Sequence, residues 1–457
     1  MVRRFRPSDL VPALAHHSAS AALKRTNGPT SERIRRDTPW AISGIARESI
    51  LYGNEHRSEG VDSTTIISLV RSFNESFDEL RELSLAGLIT PIAYEQFPYG
   101  ESEFEELARI YALFEEPSLG PELDWSEIFG VPLKDAVRAV FVLNAWVLHN
   151  SGHYDPGLLD AGDMREVFER SAPRAHIEAL AQELTTTIPE AKAANATVPA
   201  LSRELQRYAF NPLTSRPFVD LGDSHGVWAP QVMLVNRAVF PTNLYYRGIA
   251  KWGARFAETL GARLEAYVGR QLALVANEGE LHGEIEYRDG KNKKKSVDWI
   301  WTTERAVILV ECKSARLSLG ARAGDGTLPA VVDRYLTHAR EQLDRTAALI
   351  RARVPPFDQF PTDRPIVGMA VTAEPFYLGN STLEEYGKQS AIPSMVVSLR
   401  DLEFWVCLSG DEAVGKLLGI VGDQERRTWA LSTALGDLRG LGHNPILDDA
   451  WHRYRFT

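Results

Sequence analysis

The stretch Ser296–Ser318, SVDWIWTTERAVILVECKSARLS, decides how the second half of the chain is read. Ala306 to Val310 form an unbroken apolar run rich in β-branched residues and bounded by charges, the pattern of an interior strand. Yet the run ends in Glu311 and Lys313, which are costly to bury unless they are paired or bind an ion. A second acid, Asp298, interrupts the preceding apolar run between Val297 and Trp299. Side chains two apart on a strand share a face, so Glu311 and Lys313 emerge together while Cys312 points into the opposite layer. A short turn at Glu304-Arg305 would pair the two strands and bring Asp298 near Glu311. Two carboxylates beside an ammonium suit a hard cation, and Mg2+ is held by one or two carboxylates, waters and phosphate oxygens. Such an ion polarises a phosphodiester and lowers the pKa of a bound water. The lysine would orient or help deprotonate that water and offset developing charge.

The surroundings give an element order. YYRGIAKWGARFAETLGARLEAYVGRQLALV places Leu260, Leu264, Tyr267, Val268 and Leu272 on one helical side. GELHGEIEYRDG alternates like a strand, and DGKNKKK is a lysine-loaded turn. After Lys313 come a polar glycine-rich loop, expected to be mobile, a helix (AVVDRYLTHAREQLDRTAALIRAR) and a strand (RPIVGMAVTAEPF). A further strand, SMVVSLRDLEFWVCL, leads into a helical tail from about Asp411. This order predicts an α/β domain with a mixed central sheet.

Asp298, Glu311-Cys312-Lys313 about a dozen positions later, and this order of elements resemble the PD-(D/E)xK phosphodiesterases, the restriction-endonuclease-like superfamily. The resemblance covers about a third of the chain, roughly Gly253 to Leu408. It implies a nuclease, a DNA endonuclease ahead of one acting on RNA, with Asp298 and Glu311 ligating Mg2+ (or Mn2+ as a substitute) and Lys313 activating water. Glu265 stands where that family often places a supporting glutamate that assists the metal, with Glu258 a weaker candidate. Gln342 stands where some members have an auxiliary glutamine. Val297 replaces the signature proline. That departure leaves open a second reading, a catalytically silent nuclease fold serving as a nucleic-acid-binding or assembly module. Two-strand cleavage in this family often relies on dimers, so a homodimer is the expected assembly. A nuclease joined to a large unassigned region is also the architecture of restriction and anti-phage systems.

Lys291, Lys293, Lys294 and Lys295 crowd the turn before Asp298. Lysines there either keep a sheet edge soluble or contact phosphates, and Arg316, with Arg322 beside it, is a further phosphate candidate. A rival metal site, His149 and His153 with Asp155, is weakened by Gly152 and Pro156, which end the helix that would align them. His225 reads as a loop histidine, and Trp299 and Trp301 as sheet packing.

The remaining 240 or so residues offer less. Residues 1–40 are expected as a basic, mobile or loosely docked arm, and 41–212 as a mainly helical domain where a partner protein would bind. A connector at 213–240, the nuclease-like domain at 241–410 and a helical tail at 411–457 complete the division. Helices are expected in TTIISLVRSFNESFDELREL, SEFEELARIYALFEE, LKDAVRAVFVLNAWVLHN, MREVFERSAPRAHIEALAQELTTTI and VPALSRELQRYAF. A chain of 457 residues exceeds what one core usually organises. Its 44% hydrophobic and 25% charged content is ordinary for a globular protein, and its net charge of −10 excludes a uniformly basic nucleic-acid coat. Two cysteines cannot build a disulfide framework, and no signal or membrane segment is evident, so a cytoplasmic protein is expected.

Overall fold

The computed structural model describes residues 1–25, 38–57, 59–75, 84–160, 170–203, 205–277, 280–314, 316–436 and 442–454. Its N-terminal region is helical, with a small sheet. The sheet comprises β1 (His153–Tyr154), β2 (Thr185–Thr187), β3 (Phe218–Asp220) and β4 (Val227–Trp228) in the order β1-β4-β3-β2. Helix Leu133–His149 buries Leu133, Ala136, Val137, Val140, Leu143 and Val147, the spacing of one helical face. It ends at Ser151 and Gly152, both at positive φ, which rules out continuation toward His153. Thr187 and Glu190 form a capping box that starts helix Ile188–Ala196.

Several expectations for this region need correction. Pro7–Arg25 is a docked helix, with Leu10, Val11, Leu14 and Ala15 fully buried. Its apolar positions outweigh the arginines that suggested a loose arm; Arg33, Arg35 and Arg36 lie outside the described residues. Among the described residues, the expected helix over 198–210 contains a single 3-10 turn, Gln206–Tyr208. Helix Arg174–Glu183 stops before β2, where three threonines favour a strand. The segments 76–83 and 164–169, also read as helical, are outside the described residues. The connector supplies β3 and β4 to the small sheet and is part of this region's structure.

The C-terminal region holds a mixed five-stranded sheet in the order β11-β10-β9-β8-β5, together with a hairpin of β6 and β7. Its strands are β5 (Leu281–Gly283), β6 (Glu286–Asp289), β7 (Asn292–Lys295), β8 (Trp299–Thr302), β9 (Val307–Lys313), β10 (Ile366–Thr372) and β11 (Ser394–Ser398). β9, β10 and β11 run parallel, while β8 is antiparallel to both β9 and β5. Ile308, Val310 and Cys312 face a core that includes Leu264, Tyr267 and Val268 of helix Ala254–Leu272. Val307 and Leu309 face Leu343, Ala347 and Ile350 of helix Leu328–Arg351. Ser398 and Asp401 close a capping box, so the run read as one strand turns helical at Leu399–Trp405. The loop after Lys313 includes a helical turn, Leu319–Arg322. Leu317 and Ala321 are buried beside Ala86, so the expectation of mobility fails there.

One apolar cluster runs through both regions, from Leu107, Ile110 and Leu143 to Tyr267, Trp301, Trp405 and Tyr454. Arg263, 2% exposed, donates to the carbonyls of Leu113, Glu116, Gly120 and Pro121, fixing helix Ala254–Leu272 to the N-terminal region. Among the described residues no helix is long and apolar enough to cross a membrane.

Candidate active site

The antiparallel register Trp299↔Val310 carries Asp298 to the level of Glu311. Asp298 Oδ2 accepts a hydrogen bond from the Cys312 backbone N–H at 2.6 Å. Lys313 Nζ donates to Glu311 Oε1 at 2.5 Å and to Gln342 Oε1 at 2.8 Å. Strand alternation therefore brings the three expected side chains together, and Gln342 reaches them from the covering helix. Glu311 is only 2% exposed, and its second oxygen, Oε2, is buried without a hydrogen-bond partner. Such an orphaned acceptor is costly in a finished core.

Glu265 reaches the same end of the sheet through close helix–strand packing. The Trp299 indole lies against Gly269, where a Cβ would overlap its ring, and Trp299 Nε1 donates to the Glu265 carbonyl at 2.9 Å. This absence of a side chain lets the helix sit down on β8. Trp301 is buried edge-on to Trp405, so both tryptophans pack the sheet as expected.

One acid was not found in the sequence. The pairing Gly283↔Trp299 brings Glu284, just beyond β5, to the level of Asp298. Its charge raises the pKa of both Asp298 and Glu265. The alternating run that contains Glu284 gave no sign of this, because the encounter depends on which strands pair. Glu265, Glu284, Asp298 and Glu311 thus gather with Lys313 and Lys295 as the cations close by among the described residues, an excess of negative charge. Burial, reinforced by Asp298, pushes the Glu311 carboxyl up to about 8. Burial with Asp298 and Glu284 pushes Glu265 up to about 6, and burial raises Asp298. Burial likewise pushes up the Cys312 thiol, leaving it a poor nucleophile.

The basic candidates divide. Lys293 pairs with Glu286 at 3.7 Å, Lys294 with Asp289, and Lys295 with Glu284 at 2.8 Å, so these three charges are met within the hairpin and its base. Lys291 is exposed at the tip beside Gly290, whose φ of +62° shapes the turn. Arg316 corrects the sequence reading: it is buried, pairs with Glu374 at 3.3 Å and lies over the Tyr245 ring, out of reach of a phosphate backbone. Arg322 also pairs with Glu374. His149 ends its helix, while His153 lies tilted against Trp228 at 4.5 Å from within β1, so among the described residues the rival metal site is not assembled. His225 lies in a turn.

The four carboxylates offer hard oxygen donors, and the orphaned Glu311 Oε2 is the buried polar atom that a hard divalent cation would satisfy. Among the described residues no three His, Cys, Asp or Glu side chains already stand as a closed metal cage. Asp298 is instead turned to the Cys312 N–H, and Glu311 to Lys313. No family model matches the chain, and neither does any curated protein or solved structure.

Proposed function

We propose that the chain is a metal-dependent nuclease, acting on DNA ahead of RNA, whose C-terminal sheet is of the restriction-endonuclease-like kind. The observation that carries this reading is Glu311: a buried carboxylate with one oxygen orphaned, beside Asp298, on a strand end shared with Lys313. Asp298 and Glu311 would hold Mg2+, or Mn2+ in its place, with Glu265 and Glu284 adding negative charge nearby. The metal, when bound, supplies polarisation of the phosphodiester and a more acidic water. Lys313, held by Gln342, would place its ammonium where negative charge develops as water oxygen adds to phosphorus and loses a proton to solvent, while the P–O ester bond breaks and the leaving oxygen takes up a proton. Gln342 would be a positioning residue, holding Nζ independently of its bond to Glu311. Anti-phage or restriction defence is the setting that this architecture suggests.

The second reading, a silent nuclease fold that binds without cutting, is favoured by one feature: Lys313 already occupies Glu311 Oε1. One experiment separates the two. Supercoiled, linear duplex and single-stranded DNA, and RNA, are incubated with the parent and with Lys313→Ala, in Mg2+, in Mn2+ and in chelator. Cutting that needs metal and Lys313 is expected. Cutting retained by Lys313→Ala, or substrate binding with no cutting in either metal, overturns the nuclease assignment.

A further inference from the structure

A concave site apart from the candidate active site lies where the two regions meet. It is a cavity of about 570 Å³, within the range of small-molecule sites. None of Glu265, Asp298, Glu311, Lys313 or Gln342 lines it. Its walls come from helices Pro39–Tyr52, Leu85–Gln96 and Pro241–Trp252, the segment around Tyr208, and the turn Leu319–Arg322.

The lining carries six arginines, Arg47, Arg207, Arg237, Arg247, Arg322 and Arg400, against three acids, Glu95, Glu101 and Glu374. Some of the arginines also lean on acids behind the wall, Arg47 on Glu48 and Arg247 on Glu183. Arg237 does not: among the described residues it has no acidic partner, and it lies over the Tyr99 ring at 4.3 Å. Its Nη1, together with Nε of Arg247 and Nε of Arg322, is buried without a hydrogen-bond partner. Arginine is the side chain best suited to grip phosphate through paired N–H donors. Unmet guanidinium donors in an arginine-rich cavity therefore point to an anion.

Aromatic faces stand beside these charges. Tyr94 and Tyr246 flank Arg322 at 5.0 Å each, and Tyr94 meets Tyr377 edge to face at 4.9 Å. Tyr208, also in the lining, has a hydroxyl that is buried and unpartnered. Flat rings next to guanidinium planes can take up a planar heterocycle by stacking, while the arginines meet a charged group attached to it.

We infer that this cavity binds a small nucleotide, a nucleoside mono- or diphosphate, with Arg237 meeting the phosphate and the tyrosines receiving the base. Phosphate alone would leave the aromatic walls unused, and a nucleoside alone would leave the arginines unmet. The site also abuts the strand ends of the candidate active site. The Ala373 N–H donates to the Lys313 carbonyl at 3.1 Å, and the next residue, Glu374, holds Arg322.

The test uses the full chain and reads binding, so its outcome is independent of whether the protein cuts nucleic acid. AMP, GMP, ADP and GDP are titrated by calorimetry and by thermal shift, with adenosine, guanosine and inorganic phosphate as the separated halves. At least one nucleotide is expected to bind at least tenfold more tightly than either of its halves. Arg237→Gln should weaken it about tenfold or more. Photolabelling of the parent with 8-azido-AMP and 8-azido-ADP, mapped by peptide mass, keeps the question open to refutation if Arg237→Gln does not fold. Label on cavity tyrosines supports the assignment. No nucleotide binding, phosphate binding as tightly as the nucleotides, undiminished binding by folded Arg237→Gln, or label placed elsewhere each overturns it.

Discussion

Glu106 and Glu311 are equally buried, each 2% exposed, yet their carboxyl groups are shifted in opposite directions. Burial opposes ionisation in both. At Glu106 the guanidiniums of Arg109 and Arg400 overcome that penalty and hold the group below the ordinary carboxylate range. Arg109 in turn grips Glu403 through both carboxylate oxygens, and Tyr267 Oη donates to Glu403 Oε1 at 2.8 Å. That network closes on itself. At Glu311 burial dominates, Asp298 adds to it, and one lysine compensates only in part. Buried charge alone therefore says little about function; buried charge that the protein leaves uncompensated says more.

The contrast is broken most severely at Arg109. Arg109→Ala would strand Glu106 and Glu403 without a cation, and a loss of about 3–5 kcal/mol in a denaturant titration is expected. A loss below about 1 kcal/mol would mean that the network is not balanced as described. Lys313→Ala should cost the fold less, because Glu311 can take up a proton, while lowering single-turnover cleavage about 100-fold or more, close to 2.7 kcal/mol.

Glu311→Gln sharpens the comparison through pH. The folded-state carboxyl is pushed up to about 8 from an ordinary value near 4.5, so the folded chain binds this proton more firmly than the unfolded one. The stability linked to that proton is complete below about 4.5 and is lost as pH rises through about 8. In metal-free buffer, Glu311→Gln should therefore gain about 1–3 kcal/mol over the parent near pH 9 and much less near pH 5. Parallel stability curves for the two proteins would contradict the assignment. The smallest effect is expected at the hairpin tip. Lys291→Ala should leave the thermal midpoint alone and lower the salt slope of DNA binding by about 0.9 if it contacts one phosphate. An unchanged slope would return that lysine to a solubilising role.

How much of this the sequence disclosed depends on the range of the interactions involved. Asp298, Glu311 and Lys313 were legible because strand alternation and one short turn are local facts. Gln342 followed from a resemblance and meets Lys313 in the structure. Glu284 was hidden because its place depends on β5 pairing with β8 rather than with its neighbour in sequence. Arg316 misled because a lone arginine near an acidic strand looks available until Glu374, far along the chain, is folded against it. The helix at Leu399–Trp405 was masked by apolar residues that suit either strand or helix, and the Ser398–Asp401 cap decided it.

The shared network also has a consequence for vectorial synthesis. Arg109 emerges from the ribosome long before Glu403, and Leu107 long before Tyr454, whose hydroxyl donates to the Leu107 carbonyl at 3.0 Å. The early region therefore cannot finish its core while it is still being made. Chains stalled before residue 403 are expected to stay protease-sensitive around Arg109, and protection there would show that the first region closes on its own. The strand completed at Lys313 thus waits on contacts made roughly ninety residues later, so the candidate site is framed only once nearly all of the described fold has been translated.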